Sequence, residues 1–393
     1  MKKYFLSLFV ILLSINSVFA ENNNKINNKY EVLDSQIDNF ITSKNAILMD
    51  YNTGEILYQK NMDDIMAPSS MTKIMTAYII FDMLENKEIN INDKFKVSVR
   101  AWRQTGTRMF LEPEWKISVD ELLKGLIIIS GNDAAITLAE GSSGSIENFV
   151  IKMNETAKIL GMNNTNFVNP NGLYEKTHYT TVHDFAILTR ALIKKHYKYY
   201  KKYFSQKEFT FNNITQKNKN LLLAEYEGVD GLKTGFTDQG KYSITASVEK
   251  NGKRFIVVIG NAESERIRLT QAKRLFDYAF RQYQYIDLFR KNNTIGEIGI
   301  FFGVENKVPI YTKNDIIYST RKSRINDLKV DLIHNKYIFA PIKKDDKIAK
   351  LRIIDENFIT EYDLYATKDI NIITKFKKFR IMFKIYAAKI LGL

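Results

Sequence analysis

The chain predicts an α+β fold: an antiparallel sheet covered by helices, then a small β-rich domain and a C-terminal amphipathic helix. Three observations carry this. Alternating strand-like runs near residues 45–59 and 228–260 frame a helical middle. From about residue 285 the texture becomes short β-rich runs separated by turns. The last segment places Phe376, Phe379, Phe383, Tyr386, Ile390 and Leu393 three or four residues apart.

Residues 1–20 read as a secretory signal peptide. Lys2-Lys3 start it, Tyr4 to Leu13 is apolar, and Val18-Phe19-Ala20 supplies a small-residue cleavage site. Residues 21–40 are read as a flexible lead-in, Asn-rich over 21–34, with structure expected from near Lys44. A catalytic domain is assigned to 41–284. In it, strands Asn45–Asp50 and Glu55–Gln59 flank a turn at Asn52-Thr-Gly54. A helix is expected over 70–86, entered at Pro68, with Ile74, Ala77, Tyr78 and Phe81 at helical spacing. Val119–Ile129 is a second helix, broken at Ser130-Gly131-Asn132, and a third runs Asp133–Glu140. Further helices are expected over 145–161, 181–195 and Leu269–Tyr283. Strands Ser243–Val248 and Phe255–Ile259 flank Asn251-Gly252, a strong hairpin signal. The small β domain is assigned to 285–368, with runs at 295–300, 307–311, 315–319, 328–333, 348–354 and 360–366. The amphipathic helix covers 369–393.

The chain has 393 residues and net charge +14. Lys2 and Lys3 lie in the leader. Six more cations (Lys375, Lys377, Lys378, Arg380, Lys384, Lys389) lie in the tail, where no acid follows Asp369. Without these eight the charge is +6, so the excess sits at the ends. That suits a membrane surface better than nucleic acid, and no nucleic-acid partner is assigned. Cysteine is absent, which excludes thiol chemistry and cysteine-ligated zinc. No metal and no cofactor are expected.

Three short strings carry the chemistry: Ser70-Met-Thr-Lys73, Ser130-Gly-Asn132 and Lys233-Thr-Gly235. Singly, each has ordinary explanations as a cap, a solvated face or a turn. Their order and placement together are what is improbable. Ser70 and Lys73, three apart, share a helix face. A nucleophile at a helix start gains backbone N–H groups for a developing oxyanion, each worth about 3 kcal/mol of barrier. None of the four histidines lies near Ser70 in sequence, so Lys73 is the better base, provided its amine is neutral. Bringing a lysine from about 10.4 to about 7 needs roughly 4–5 kcal/mol. Burial and a second cation, for which Lys233 is the candidate, supply this. Ser130 is placed to relay a proton to a leaving amine. Asn132 suits a peptide amide. Lys233 and Thr234 suit a carboxylate at a strand edge, and Gly235 keeps that edge clear for the ligand.

The chain resembles the serine-type D-alanyl-D-alanine carboxypeptidases, the low-molecular-mass penicillin-binding proteins. The resemblance rests on the triple and on Ala46–Gly54, Ala67–Tyr78, Ile129–Ala135, Phe167–Leu173, Val229–Asp238 and Ile338–Lys343. It implies the penicillin-binding, β-lactamase-like transpeptidase fold. It implies release of the terminal D-alanine from peptidoglycan stem peptides through an acyl-serine, with β-lactams as inhibitors. By position, it implies Ser70 as nucleophile, Lys73 as base, Ser130 as relay and Asn132 as substrate ligand. Lys233 and Thr234 would bind the carboxylate, and the N–H groups of Ser70 and Phe236 would form the oxyanion hole. Lys219 and Arg268 lie near positions where relatives carry basic residues. Gln239-Gly240-Lys241 departs from the family's Ala-Gly at the strand edge, and Lys344-Asp345-Asp346 departs in the accessory domain. A serine β-lactamase and a wall endopeptidase or transpeptidase remain alternatives. So do a non-catalytic wall-binding protein and a hydrolase built on His183-Asp184. The tail is interrupted by too many cations to span a bilayer, and fits a helix lying on the cytoplasmic membrane surface. The expected location is therefore exported, on the periplasmic side of that membrane.

Overall fold

A computed structural model describes residues 35–355, 358–377 and 379. The signal peptide, most of the lead-in and most of the tail lie outside the described residues. The lead-in reading needs one correction: Ser35–Asp38 forms a helical turn, and Ile37 and Ile41 are buried. These two isoleucines pack into the core beside Leu57 and Phe276, so the ordered chain begins before Lys44.

Five strands make the main sheet: β1 (Asn45–Asp50), β2 (Ile56–Lys60), and, much later, β3 (Val229–Thr237), β4 (Lys241–Lys250) and β5 (Lys253–Ala262). Their order is β2-β1-β5-β4-β3, all antiparallel, with β3 at the edge. The β4–β5 link is the Asn251-Gly252 turn, with both residues at positive φ as a tight hairpin requires. Side chains alternate between faces, so the strands feed two cores. Ile47, Ile256 and Val258 point into the helical layer. Leu48, Val257 and Ile259 point to the opposite face, where Leu275 and Phe276 of a long helix, Glu265–Gln282, cover them.

The helical layer is built around α1 (Lys73–Glu85), which is apolar nearly all round and buried throughout most of its length. A 3₁₀ turn, Ser69–Thr72, precedes it, so the expected 70–86 helix is α-helical only from Lys73. α2 (Val119–Lys124) opens on a capping box between Ser118 and Glu121 and widens into π geometry over Gly125–Ile129. Ser130 then takes φ +70, which ends the helix, and α3 (Asn132–Ser143) restarts it. α4 (Ile146–Leu160) and α5 (Val182–Lys195) begin at Ser145 and Thr181 caps, and α6 (Glu265–Gln282) at a Ser264 cap.

The helix expected over Leu269–Tyr283 starts earlier and stops at Gln282, where strand β6 (Tyr283–Phe289) begins. The remaining strands are β7 (Thr294–Gly299), β8 (Lys307–Tyr311), β9 (Ile316–Arg321), β10 (Lys329–His334), β11 (Lys347–Asp355) and β12 (Phe358–Ala366). They form a sheet ordered β7-β8-β12-β11-β10 and a β6–β9 pair. The tail also needs correcting at its start. Ile370 and Ile372 make strand-like bridges, and helical residues begin only at Lys375. No helix among the described residues is long and apolar enough to cross a membrane.

Candidate active site

The three strings converge on one cleft of about 410 Å³, lined by Ser70, Ser130, Asn132, Thr234, Gly235 and Phe236 with Gly106, Thr107, Asn171, Gly172, Leu173, Lys219, Tyr242, Glu265 and Arg268. Lys73 and Lys233 lie beneath its surface, 1% and 2% exposed.

Lys73 Nζ sits 3.0 Å from Ser70 Oγ, 2.7 Å from Asn132 Oδ1 and 2.5 Å from the Asn171 carbonyl oxygen. The last two can only accept. A neutral amine has two N–H donors and one lone pair. With both donors spent on Asn132 and Asn171, the lone pair faces the Ser70 hydroxyl. Burial holds the Lys73 pKa well below the ordinary lysine value, the Lys233 charge lowers it further, and Asp133 opposes. Lys233 is itself pushed down to about 7 by burial, then by Arg268 and Lys219. Its ammonium makes no hydrogen bond or ion pair among the described residues.

Ser70 rides the 3₁₀ turn rather than the first turn of the α-helix, and three glycines shape its seat. A Cβ on Gly172 would lie 1.9 Å from the Ser69 carbonyl oxygen, one on Gly235 3.0 Å from Ser69 Cβ, and one on Gly240 2.9 Å from Ser69 Oγ. Gly235 is therefore required by the turn that carries the serine, as well as lining the ligand edge. Despite Lys241, the β3–β4 register runs unbroken from Gly231 to the Thr237–Lys241 pair.

Asn132 Oδ1 holds Lys73 and its Nδ2 donates one N–H to the Thr105 carbonyl (2.6 Å), while the second N–H has no partner among the described residues. Its neighbour Asp133 accepts from the N–H groups of Met109, Leu111 and Ala134, fixing the cleft wall at 105–111. Thr107 Oγ1 donates to the Ser130 carbonyl (2.7 Å). The Ser130 hydroxyl itself has no partner among the described residues. Arg268 Nη1 donates to the Gly235 and Ser243 carbonyls (3.2 and 3.3 Å), and Nη2 pairs with Glu265 (2.6 Å). Lys219 and Arg268 thus both join the cleft, at the end where Thr234 and Gly235 lie.

Reading the motifs missed Asn171, whose backbone oxygen grips Lys73, although it lies in the 167–173 segment. It also missed the Thr72–His178 contact (2.8 Å) behind Ser70. His178 Nδ1 accepts from the Val168 N–H, so Nε2–H donates to Thr72. Burial and then Lys73 push its pKa down to about 4. The other histidines are engaged elsewhere. His183 pairs with Asp63, His196 lies between Asp82 and Glu85, and His334 meets the Asn335 carbonyl. Asp184 holds Asn164 and Thr165, so the His183-Asp184 alternative has no shared site.

Fold and cleft together define a serine-active acyl-transfer enzyme of the penicillin-binding class. The profile described as D-alanyl-D-alanine carboxypeptidase (Peptidase_S11) matches residues 32–264, and that of the penicillin-binding protein 5 C-terminal domain matches 283–371. The chain belongs to this family of serine-type D-alanyl-D-alanine carboxypeptidases. It is 38% identical over 333 residues to the D-alanyl-D-alanine carboxypeptidase DacF of Bacillus subtilis, covering 83% of this chain and 85% of that one. Penicillin-binding protein 5 from Haemophilus influenzae superposes with a TM-score of 0.77 at 32% identity, over 84% of this chain and 98% of that one. Penicillin-binding protein D2 from Listeria monocytogenes, in its ampicillin-bound form, gives a TM-score of 0.56 at 30% identity, over 61% of this chain and 97% of that one.

Proposed function

We propose that this enzyme removes the terminal D-alanine from peptidoglycan stem peptides, with Ser70 as nucleophile and Lys73 as general base. The observation that carries the assignment is the Lys73 amine, buried and 3.0 Å from Ser70 Oγ, with its other two contacts both acceptors. Ser70 Oγ attacks the carbonyl carbon of the penultimate residue while its proton passes to Lys73 Nζ. The N–H groups of Ser70 and Phe236 receive the oxyanion. The C–N bond breaks as Ser130 gives its hydroxyl proton to the leaving amine and takes up the one held by Lys73, so D-alanine departs and Lys73 is neutral again. Water then hydrolyses the Ser70 ester, with Lys73 again taking the proton.

Lys233, Thr234 and Arg268 favour a substrate ending in a carboxylate, since among the described residues Lys233 and Arg268, both buried there, pair with no acid but Glu265. Asn132 and the β3 edge hold the peptide backbone. A β-lactam presents a strained amide and a carboxylate to the same groups. The leader-like first 20 residues and the basic tail support an exported enzyme held at the periplasmic side of the cytoplasmic membrane.

The test is intact-mass spectrometry with benzylpenicillin, followed by peptide mapping, alongside D-alanine release from a pentapeptide. The expected result is one adduct on Ser70, slow loss of that adduct, and no release by Ser70→Ala. An adduct on another side chain would overturn the assignment, and rapid adduct turnover would favour the β-lactamase alternative.

A further inference from the structure

Large apolar side chains also lie exposed away from the cleft, and in the β domain most of them, Ile325 and Ile359 apart, gather at one place. Phe301 and Val304 follow β7, Tyr337 and Phe339 follow β10, and Ile372 and Phe376 follow β12. All are between 39 and 73% exposed. The Phe301 ring lies 5.4 Å from Tyr337 and 5.8 Å from Phe339, so the first two loops share one aromatic face. The third stretch is tied to it by backbone. The Val304 N–H donates to the Asn371 carbonyl (2.8 Å), and the Ile373 N–H to the Phe302 carbonyl (2.9 Å).

Single exposed apolar residues are ordinary, but a joined cluster marks an interface. Its charge is one-sided. Lys336 lies over the Tyr337 ring at 5.5 Å, and Lys375 and Lys377 are exposed beside Phe376. The nearby acids are engaged: Glu305 pairs with Lys368 (2.5 Å), and Asp369 accepts from the Lys344 N–H (2.6 Å). Aromatic rings ringed by lysines match the boundary between acyl chains and anionic headgroups, where rings settle and ammonium groups reach phosphate. The face is also continuous with the basic, amphipathic tail sequence that leaves it at Phe376. A bilayer engages both together.

We infer that the loops carrying Phe301, Val304, Tyr337 and Phe339 are a second lipid-contacting surface, which seats the β domain on an anionic bilayer beside the tail. This rests on the reading of the tail as membrane-associating, and the test separates the two.

The full exported chain is titrated with vesicles of phosphatidylglycerol and phosphatidylethanolamine, and with phosphatidylcholine vesicles. Four variants are compared: Phe301→Ser/Tyr337→Ser/Phe339→Ser, the tail variant Phe383→Ser/Ile390→Ser, Phe339→Trp, and Phe339→Trp combined with the tail substitutions. The loop variant is expected to bind anionic vesicles at least about tenfold more weakly while still labelling with benzylpenicillin. Phe339→Trp, measured against the parent's Trp102 and Trp115 background, is expected to shift to the blue and be quenched by brominated acyl chains in anionic vesicles. This second readout does not depend on the triple variant folding. Unchanged affinity of the loop variant with no quenching of Phe339→Trp overturns the inference, and if the tail variant then loses binding, the tail reading survives alone. Retained quenching in Phe339→Trp combined with the tail substitutions supports the loop surface independently. Self-association of the parent that the loop variant loses, without quenching, assigns the face to a second copy and overturns the inference.

Discussion

At the residue scale, the chemistry turns on a lysine that must be neutral to act. Two substitutions separate charge from basicity. Lys73→Met removes the base, and Lys73→Arg keeps a cation that cannot give up its proton. Both are expected to slow benzylpenicillin acylation by about 10²–10⁴-fold, the usual worth of a general base. An arginine variant near parental activity would show that only charge is needed. Lys233 disfavours the charged form of Lys73, so its loss raises the Lys73 pKa. In Lys233→Gln the acid limb of the acylation rate against pH therefore moves to higher pH, apart from any loss in carboxylate binding. A limb that stays in place would remove Lys233 from the tuning of the base. Ser70, Lys73 and Lys233 were legible because side-chain identity and spacing both mark them. Asn171 was not, because its contribution is a carbonyl oxygen, which every residue possesses. The partner of His178 depended on a contact across 106 positions of sequence that no local pattern reports.

At the element scale, the serine's position depends on how closely the 67–72 segment is held between β3 and the 169–173 loop. Gly172 has φ +83, and a Cβ there would meet the Ser69 carbonyl at 1.9 Å. Gly172→Ala must push the turn away from Lys73. A misplacement near 1 Å is worth about 10²-fold in rate. Gly172→Ala is expected to lose acylation by that order while the β domain stays folded, as single-turnover penicillin kinetics beside circular dichroism would record. Unaltered kinetics would mean that the loop, and not the nucleophile, yields. Sequence periodicity found the long helices and the β4–β5 hairpin. It could not separate the 3₁₀ turn from α1, because both keep side chains three apart on one side. It overran α6 for a related reason. Ala279 and Tyr283 continue the buried spacing of Leu275 and Phe276, so the apolar pattern passes the point where the backbone becomes extended. The short strand pairs Lys94–Lys96 with Lys116–Ser118, and Glu208–Phe211 with Ile214–Lys217, carried too few residues to show a period.

At the scale of the whole molecule, the β1–β2 turn of the main sheet meets the β domain in a buried polar joint. Tyr285 of β6 donates to Asp50 (2.7 Å), and Thr320 of β9 donates to Asp355 (2.7 Å). Glu55 enters the same joint, and its buried Oε2 has no hydrogen-bond partner among the described residues. Burial, then the nearby Asp355 and Asp50, push its pKa up to about 8, against the pull of Arg324 and Arg321. None of this was visible in the sequence, where the two domains differ only in texture. The consequence has a definite sign. Between the unfolded carboxyl pKa near 4.5 and about 8, the folded chain holds a proton on Glu55 that the unfolded chain has released. Its contribution to stability is full below that window and is lost as pH rises through it. Glu55→Gln keeps the shape and removes the titration. The variant should match the parent near pH 4.5 and gain on it steadily up to about pH 8, with a constant advantage beyond. Thermal melts across pH 5–9 measure this, using the difference between the two proteins so that other titrating groups cancel. A difference that does not grow with pH would mean that Glu55 is ionised in the folded joint, and that the contact between the domains tolerates a charge which burial beside two aspartates ought to expel.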